Sequence, residues 1–286
     1  MVDEAPLPSE PADGPVPGLG LRHRRILVVG ASAGIGRSFA ARAIESGGRV
    51  VVTSRRADRL VELVGGAEQG HGVAGDVRQP RDCARIVAEA VDFLGAIDLV
   101  VYSAGVAPLR SMVATTADDW ASVLETHVLG LHHIIQAALG HLSPSAIVAV
   151  LSSETVGRPR SGLGAYGASK AALEESIRAW RMEHPRVRFA TVAVGATFPT
   201  EFGDLFDPDL LSETLEDWTR HGLMTERMLS PDDVAGTLAG VLAAALDYPE
   251  VGLEHLVVRP NSPVLGASWS SQAARYEDRA GRRDDA

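Results

Sequence analysis

The sequence predicts an α/β fold, a single-domain doubly wound parallel sheet with helices on both faces and a small helical substrate lid. Three observations predict it. From Arg25 onward, short and almost continuously apolar runs alternate with helix-forming segments, the pattern of strands buried on both faces. A glycine-rich turn, GASAGIG at 30–36, joins the first apolar run to the first helix. The rhythm then breaks only once, over 198–230. With 286 residues and 45% hydrophobic composition, the chain has enough apolar material for one large core.

Residues 1–24 carry prolines at 6, 8, 11, 15 and 17 with little apolar content, so they read as a mobile extension. The domain is expected over 25–260. Its first strand is ILVVG, followed by a helix containing Phe39, Ala40, Ala43 and Ile44. Further strands are predicted at 49–53, 71–74, 97–102, 146–151, 188–194 and 253–258, and helices at 57–64, 80–94, 117–141, 165–184 and 231–246. In the break at 198–230, Asp207 before Pro208 marks a helix start. Leu211, Leu215 and Trp218 then share one face. Phe202, Leu205, Phe206, Leu223, Met224 and Met228 add apolar surface, and the acids of this segment read as a solvated outer face. The segment 261–286 ends in a charged tail, expected to fray from Gln272.

Composition narrows the function. A net charge of −10 and 5% aromatic residues do not make a nucleic-acid surface. One cysteine, Cys83, forms no intramolecular disulfide. The N-terminus lacks a secretory signal, and the longest apolar stretch, 234–246, falls short of the roughly 20 residues that span a bilayer. The expectation is a cytoplasmic protein with no membrane partner.

Gly30, Gly34 and Gly36, with Ser32 and Ile35 between them, sit where a strand meets a helix. Glycines there allow a tight turn and let the backbone approach a pyrophosphate at the positive end of the helix. The context makes this a Rossmann-like dinucleotide site. Arg55 lies nineteen residues beyond Gly36, where an acid would bond a ribose 2′-hydroxyl and an arginine would take a 2′-phosphate. Arg55 and Arg56, with Ser54 and Ser32 as extra donors, therefore favour NADP(H).

The stretch SSETVGRPRSGLGAYGASK, 152–170, sets Tyr166 four residues before Lys170 and thirteen after Ser153. On a helix Tyr166 and Lys170 are neighbours on one face. A free tyrosine titrates near about 10. Bringing it to neutrality takes about 4 kcal/mol, the size of one ammonium interaction at about 4 Å with an effective dielectric of about 20. Lys170 is expected to supply that.

With GASAGIG, Asp76-Val77, Ser103-Ala104-Gly105, Ser153 and YGASK in this order, the chain resembles the short-chain dehydrogenase/reductase family, in its compact single-domain form, from about Arg25 to Arg259. The resemblance implies an oxidoreductase that interconverts a carbonyl and a secondary alcohol on a small-molecule substrate, and the apolar side chains of 198–230 fit a pocket for an apolar alcohol or ketone. It implies Tyr166 as the proton exchanger, Ser153 positioning the substrate oxygen, and Lys170 on the nicotinamide ribose. It further implies Asp76 and Val77 at the adenine, Ala104 and Gly105 along the cofactor cleft, Gly195 and Thr197 near the carboxamide, and a homodimer or homotetramer joined through 117–141 and 165–184.

Some positions depart from the family. Its usual asparagine in the helix after the fourth strand is His127, which can hydrogen-bond to hold a kink or join the proton relay near neutral pH. The expectation is that His127 keeps the relay working. Ser103 replaces a second asparagine and Val194 a proline, and the register of Thr200 is shifted by one residue. His132, His133 and His141 lack companions at ligand spacing, so no metal is expected. Two rival readings are a nucleotide sensor without turnover and an epimerase or dehydratase with retained nicotinamide.

Overall fold

The computed structural model describes residues 20–203 and 206–265. Most of the N-terminal extension, Leu205 and the tail from Gln272 lie outside the described residues. The apolar runs form seven parallel strands: β1 (Arg25–Val29), β2 (Arg49–Ser54), β3 (Gly70–Ala74), β4 (Ile97–Tyr102), β5 (Leu142–Ser153), β6 (Arg188–Val194) and β7 (His255–Val258). Their order is β3-β2-β1-β4-β5-β6-β7. The chain reverses its winding between β1 and β4, and their carboxyl ends open a crevice at that point.

Continuous apolar strands still divide by parity, because successive side chains face opposite sides. Ile26, Val28, Val50, Val52, Leu99 and Val101 join one core with Phe39 and Ala40 of α1 (Gly34–Glu45) and Leu238 and Leu242 of α8 (Pro231–Asp247). Leu27, Val29, Val51, Val100 and Tyr102 face the other side. There they meet Ile86 of α3 (Pro80–Leu94), Ile134 of α5 (Gly130–Ala138) and Leu173 of α6 (Gly164–Glu183). α2 (Ala57–Val64) lays Leu60 on the first core. Thr116 and Ser230 start α4 (Ala117–Leu124) and α8 with reciprocal capping by Asp119 and Asp233.

The break in the rhythm at 198–230 contains a helix. Asp207 accepts from the amides of Asp209 and Leu210, and α7 runs over Pro208–Arg220. Leu211, Leu215 and Trp218 pack with Leu109, Leu163, Tyr166 and Met224 in a third cluster above the carboxyl ends of the strands. No helix among the described residues is long and apolar enough to cross a membrane.

One predicted helix is corrected. The segment 117–141 is interrupted by a π-helical turn at Glu125–Leu129, between α4 and α5. A π turn carries one residue more than an α turn and loosens the carbonyl ladder. The Thr126 carbonyl accepts from the buried Tyr102 hydroxyl at 2.6 Å. β5 also begins at Leu142, earlier than expected, with an irregularity in its register against β4 between Ile97 and Leu99.

Gly130 makes the π turn possible, since a Cβ there would stand 2.7 Å from the Tyr102 hydroxyl and 2.9 Å from Val77. Gly130→Ala gains about 1 kcal/mol of helix propensity. It loses more, because overpacking costs about 1–3 kcal/mol and a displaced buried hydroxyl a similar amount. Urea unfolding should show a net loss of about 2 kcal/mol; equal or higher stability would mean that Tyr102 yields freely.

Candidate active site

The crevice is built on backbone contact. A Cβ on Gly30 would lie 2.5 Å from the Ala104 amide nitrogen, and one on Gly36 would lie 2.2 Å from the Ser103 hydroxyl and 2.4 Å from the Gly30 carbonyl. Gly30 and Gly34 also take φ of 90° and 55°, a region that favours glycine. Ser103 donates its hydroxyl to the Val29 carbonyl at 2.9 Å and lies 3.2 Å from the Gly30 carbonyl. The serine in place of asparagine thus ties the turn after β4 to the turn after β1. No side chain caps Ala33 and no acid lies in the first turn of α1, so its amide dipoles face the crevice unopposed.

At the far end of β2 the Arg56 Nη2 donates to the Ser32 hydroxyl at 2.8 Å and pairs with Glu201 Oε2 at 2.5 Å. The Arg56 amide donates to Ser54 Oγ at 3.2 Å. Asp76 is gripped by Arg78, Nη2 to Oδ2 at 2.6 Å. The Arg78 bond holds the Asp76 carboxyl below the usual carboxylate range, with the charge of Arg55 a smaller contribution. Val77 accepts from the Cys83 thiol at 3.1 Å, and burial pushes that thiol up to about 12, which makes it inert.

At the other end α6 begins at Gly164, so Tyr166 and Lys170 stand on its first turns. Ser153, Tyr166 and Lys170 are 7%, 8% and 5% exposed. Ser153 Oγ accepts from the Thr155 amide at 3.2 Å, and its hydroxyl acts on the Tyr166 phenol by favouring the charged form. The Lys170 ammonium donates to the Leu151 carbonyl at 2.9 Å and lies 5.8 Å from the centroid of the Tyr166 ring. Burial lowers Lys170 to about 8, partly offset by the carboxylate of Glu174.

The expectation that Lys170 brings Tyr166 to neutrality is corrected. Burial raises the phenol above its ordinary value, and the groups that pull it down are the Ser153 hydroxyl and the Arg160 guanidinium. Desolvation outweighs them. The phenol is therefore pushed toward its neutral form.

His127 is fully buried. The Val106 amide donates to its Nε2 at 3.1 Å, and its Nδ1 lies 2.7 Å from the Ser169 hydroxyl. An amide can only donate, so Nε2 is bare and the ring proton sits on Nδ1. Ser169 in turn donates to the Tyr166 carbonyl at 2.7 Å. Burial, and then the charge of Lys170, holds His127 well below its usual range, so the imidazole does not titrate near neutrality as a relay member would. Its ring stands edge-on to Tyr166, centroids 5.6 Å apart. Beside it a Cβ on Gly105 would lie 3.3 Å from His127 Nε2 and 3.9 Å from Lys170 Nζ.

Gly195 follows β6 with its amide on the Val258 carbonyl at 2.8 Å, and Thr197 Oγ1 donates to the Gly195 carbonyl at 3.0 Å. Thr200 lies over the glycine-rich turn, its methyl 3.8 Å from a Cβ placed on Gly34. Ile35, partly buried, packs on the first core. His132 lies against Trp180, ring centroids 5.4 Å apart. Among the described residues no group of three His, Cys, Asp or Glu could hold a metal ion.

Sequence reasoning missed Arg160 and Glu201, and it placed Phe202 only among the apolar side chains of 198–230. Arg160 has a side chain only 12% exposed, 3.7 Å from Glu154 and stacked 5.9 Å from the Trp218 ring. Its signal was a basic RPR run inside the stretch that joins Ser153 to Tyr166. Phe202 stands edge-on to Tyr166 at 5.2 Å. Glu201 belonged to the acids read as a solvated outer face, and its pairing with Arg56 corrects that. Glu201 had no signal, and nothing in the sequence set Phe202 against Tyr166, since the path of an irregular segment over the crevice has no periodicity.

Residues 24–208 match the family model described as short chain dehydrogenase. An uncharacterized oxidoreductase of Listeria monocytogenes is 26% identical over 262 residues, 85% of this chain and 98% of that protein. A serine 3-dehydrogenase of Agrobacterium fabrum is 32% identical over 156 residues, 52% of this chain and 61% of that one. A solved short chain dehydrogenase from Burkholderia cenocepacia, in complex with NADP, aligns with a TM-score of 0.71 at 25% identity, covering 83% of this chain and 97% of its own.

The position of Lys170 makes stability depend on pH. Below about 8 the ammonium is protonated in both states, and between about 8 and 10.5 the folded protein has released a proton that the unfolded chain still holds. The unfolded state binds more protons in that window, so stability rises with pH. Relative to Lys170→Met, the unfolding free energy should climb by something on the order of 3 kcal/mol from neutral pH to about 10.5. Parallel curves for the two proteins would show that Lys170 is not held near 8.

Proposed function

The chain belongs to the short chain dehydrogenase family of oxidoreductases, and from that premise we propose that it is an NADP(H)-dependent enzyme interconverting a carbonyl and a secondary alcohol, with Tyr166 as acid and base. The observation that carries this is the convergence of Ser153, Tyr166 and Lys170 at one buried point beside the crevice.

The residues present fit the dinucleotide. A turn with two glycines at positive φ, lying before an uncapped helix end, has room and dipole for a pyrophosphate. Gly30, Ser32, Gly34, Ile35 and Gly36 would hold it, and Ser54, Arg55 and Arg56 with Ser32 would take a 2′-phosphate. Asp76 and Val77 would flank the adenine, and Ser103, Ala104 and Gly105 the floor of the cleft. Lys170 would bond the nicotinamide ribose, with Gly195 and Thr197 at the carboxamide. A solved short chain dehydrogenase that aligns with this chain was determined in complex with NADP. When bound, NADP(H) supplies or accepts the hydride.

The chain's own residues handle the oxygen and its proton. In reduction Tyr166, held neutral by burial, donates its phenolic proton to the alkoxide that develops. Ser153 donates a hydrogen bond to the same oxygen, a contribution worth about a hundredfold or more in rate where such donors have been removed. Lys170, protonated below about 8, and Arg160 compensate the phenolate left behind. His127 acts at one remove. Its bond to Ser169 fixes the hydroxyl that holds the Tyr166 carbonyl, which sets the first turn of α6, and its Nε2 pins the loop after β4 at Val106. The apolar lid cluster around Trp218 and Met224 excludes water from this point and suits an apolar substrate.

Leu129 and Met182 are exposed at 48% and 82% beside α5 and at the end of α6, which supports self-association through these helices. Light scattering should give a dimer or tetramer mass, and a monomer at micromolar concentration would remove that proposal.

NADPH consumption followed across a panel of ketones and aldehydes tests the reading, with a lower KM for NADPH than for NADH expected. Tyr166→Phe should lower kcat by about a thousandfold or more while leaving NADPH affinity within about twofold. His127→Ala should lower kcat without moving either limb of the pH–rate profile near neutrality. Near wild-type turnover in the Tyr166 variant would sink the assignment. Binding without oxidation would favour a sensor, and isomerised product without net oxidation an epimerase.

A further inference from the structure

We propose that Glu201 is a cofactor-specificity determinant, a carboxylate that competes with a nucleotide 2′-phosphate for Arg56, so that the turn carrying it is released from the crevice by nucleotides bearing that phosphate and not by those lacking it. This rests on the NADP(H) reading and adds to it a residue from the lid.

Glu201 occupies the place of an anion. Its Oε2 lies 2.5 Å from Arg56 Nη2, the same nitrogen that donates to the Ser32 hydroxyl at 2.8 Å. These are the donors that would meet a 2′-phosphate. Arg56 holds the Glu201 carboxyl below its usual range, and Arg59 adds a smaller pull. A phosphate monoester brings up to twice the charge and three acceptor oxygens to the same guanidinium. A ribose 2′-hydroxyl brings no charge, and it cannot displace the carboxylate.

The pair is built to exchange. Arg56 and Glu201 are 43% and 40% exposed, and half-exposed ion pairs are weak. A buried pair could not be opened without stranding a charge. The competitor also sits on a short turn, Glu201–Gly203, with little secondary structure to hold it.

That turn spans the crevice. Thr200 covers the glycine-rich turn at Gly34, Glu201 reaches Arg56, and Phe202 stands edge-on to Tyr166 at 5.2 Å. Three consecutive residues thus lie over the pyrophosphate turn, reach the proposed 2′-phosphate subsite and stand against the acid/base tyrosine. Displacement of the Glu201 carboxylate frees the same stretch that covers Tyr166. Recognition of the phosphate at one end of the cofactor is thereby linked to access at the other.

The test uses the full chain with adenosine 2′,5′-bisphosphate and adenosine 5′-monophosphate as probes, titrated by calorimetry. Wild type should prefer the bisphosphate. Glu201→Gln should tighten the bisphosphate by about fivefold, the size of an exposed ion pair, and leave the monophosphate within about twofold. Glu201→Ala should act in the same direction. In wild type, hydrogen exchange through 198–203 should quicken with the bisphosphate and not with the monophosphate. If wild type shows no preference, the NADP(H) reading falls and the competition falls with it. If the preference stands but the Glu201 variants bind the bisphosphate no better, or more weakly, or exchange is unaltered, the competition alone is overturned and the cofactor reading survives.

Discussion

The carboxyl edge of the sheet is organised by an absent carbon. A side chain at Gly36 would collide with the Ser103 hydroxyl at 2.2 Å and the Gly30 carbonyl at 2.4 Å, so α1, the turn after β1 and the turn after β4 can close on one another only because nothing projects there. That closure sets the floor of the crevice, and Ser103 then fastens the two turns with its hydroxyl. From this floor the distances to Gly105, His127 and Lys170 follow. The polar residues at the site are consequences of a backbone packing that glycine alone permits.

Burial is the second determinant, and it acts differently on each group. Lys170 and Tyr166 are neighbours on α6, yet desolvation lowers one and raises the other, so both are pushed toward their neutral forms. The chain answers with local partners: Glu174 for Lys170, Ser153 and Arg160 for Tyr166. His127 shows the same pressure carried to its end. With both nitrogens bonded and no room for a second proton, it is a structural amide-like group that happens to be an imidazole.

Strand positions were readable where the runs are apolar, as in β1, β2, β4 and β6, and Gly30, Gly34 and Gly36 announced the turn by residue type in the context of a strand and a helix. The spacing of Tyr166 and Lys170 put both on the first turns of α6, where they stand. What could not be read was set by contacts between distant segments. The π turn at Glu125–Leu129 depends on the Tyr102 hydroxyl, twenty-four residues away, and no local periodicity encodes it. The direction of the Tyr166 shift depends on how deeply the ring is buried. Glu201 looked like any surface acid because only the folded path of the segment after β6 brings it to Arg56.

The π turn makes helix length part of the site. One added residue rotates everything downstream by about 100°. α4 packs toward α6 while α5 packs toward α3, two directions that a single regular helix of this length would not serve with one apolar stripe. A one-residue deletion within 125–129 would turn Leu131, Ile134 and Ile135 away from the core and release the Tyr102 hydroxyl together. A gap or insertion at this point is therefore a change of phase rather than of length, since it turns the whole apolar face of α5 about the helix axis.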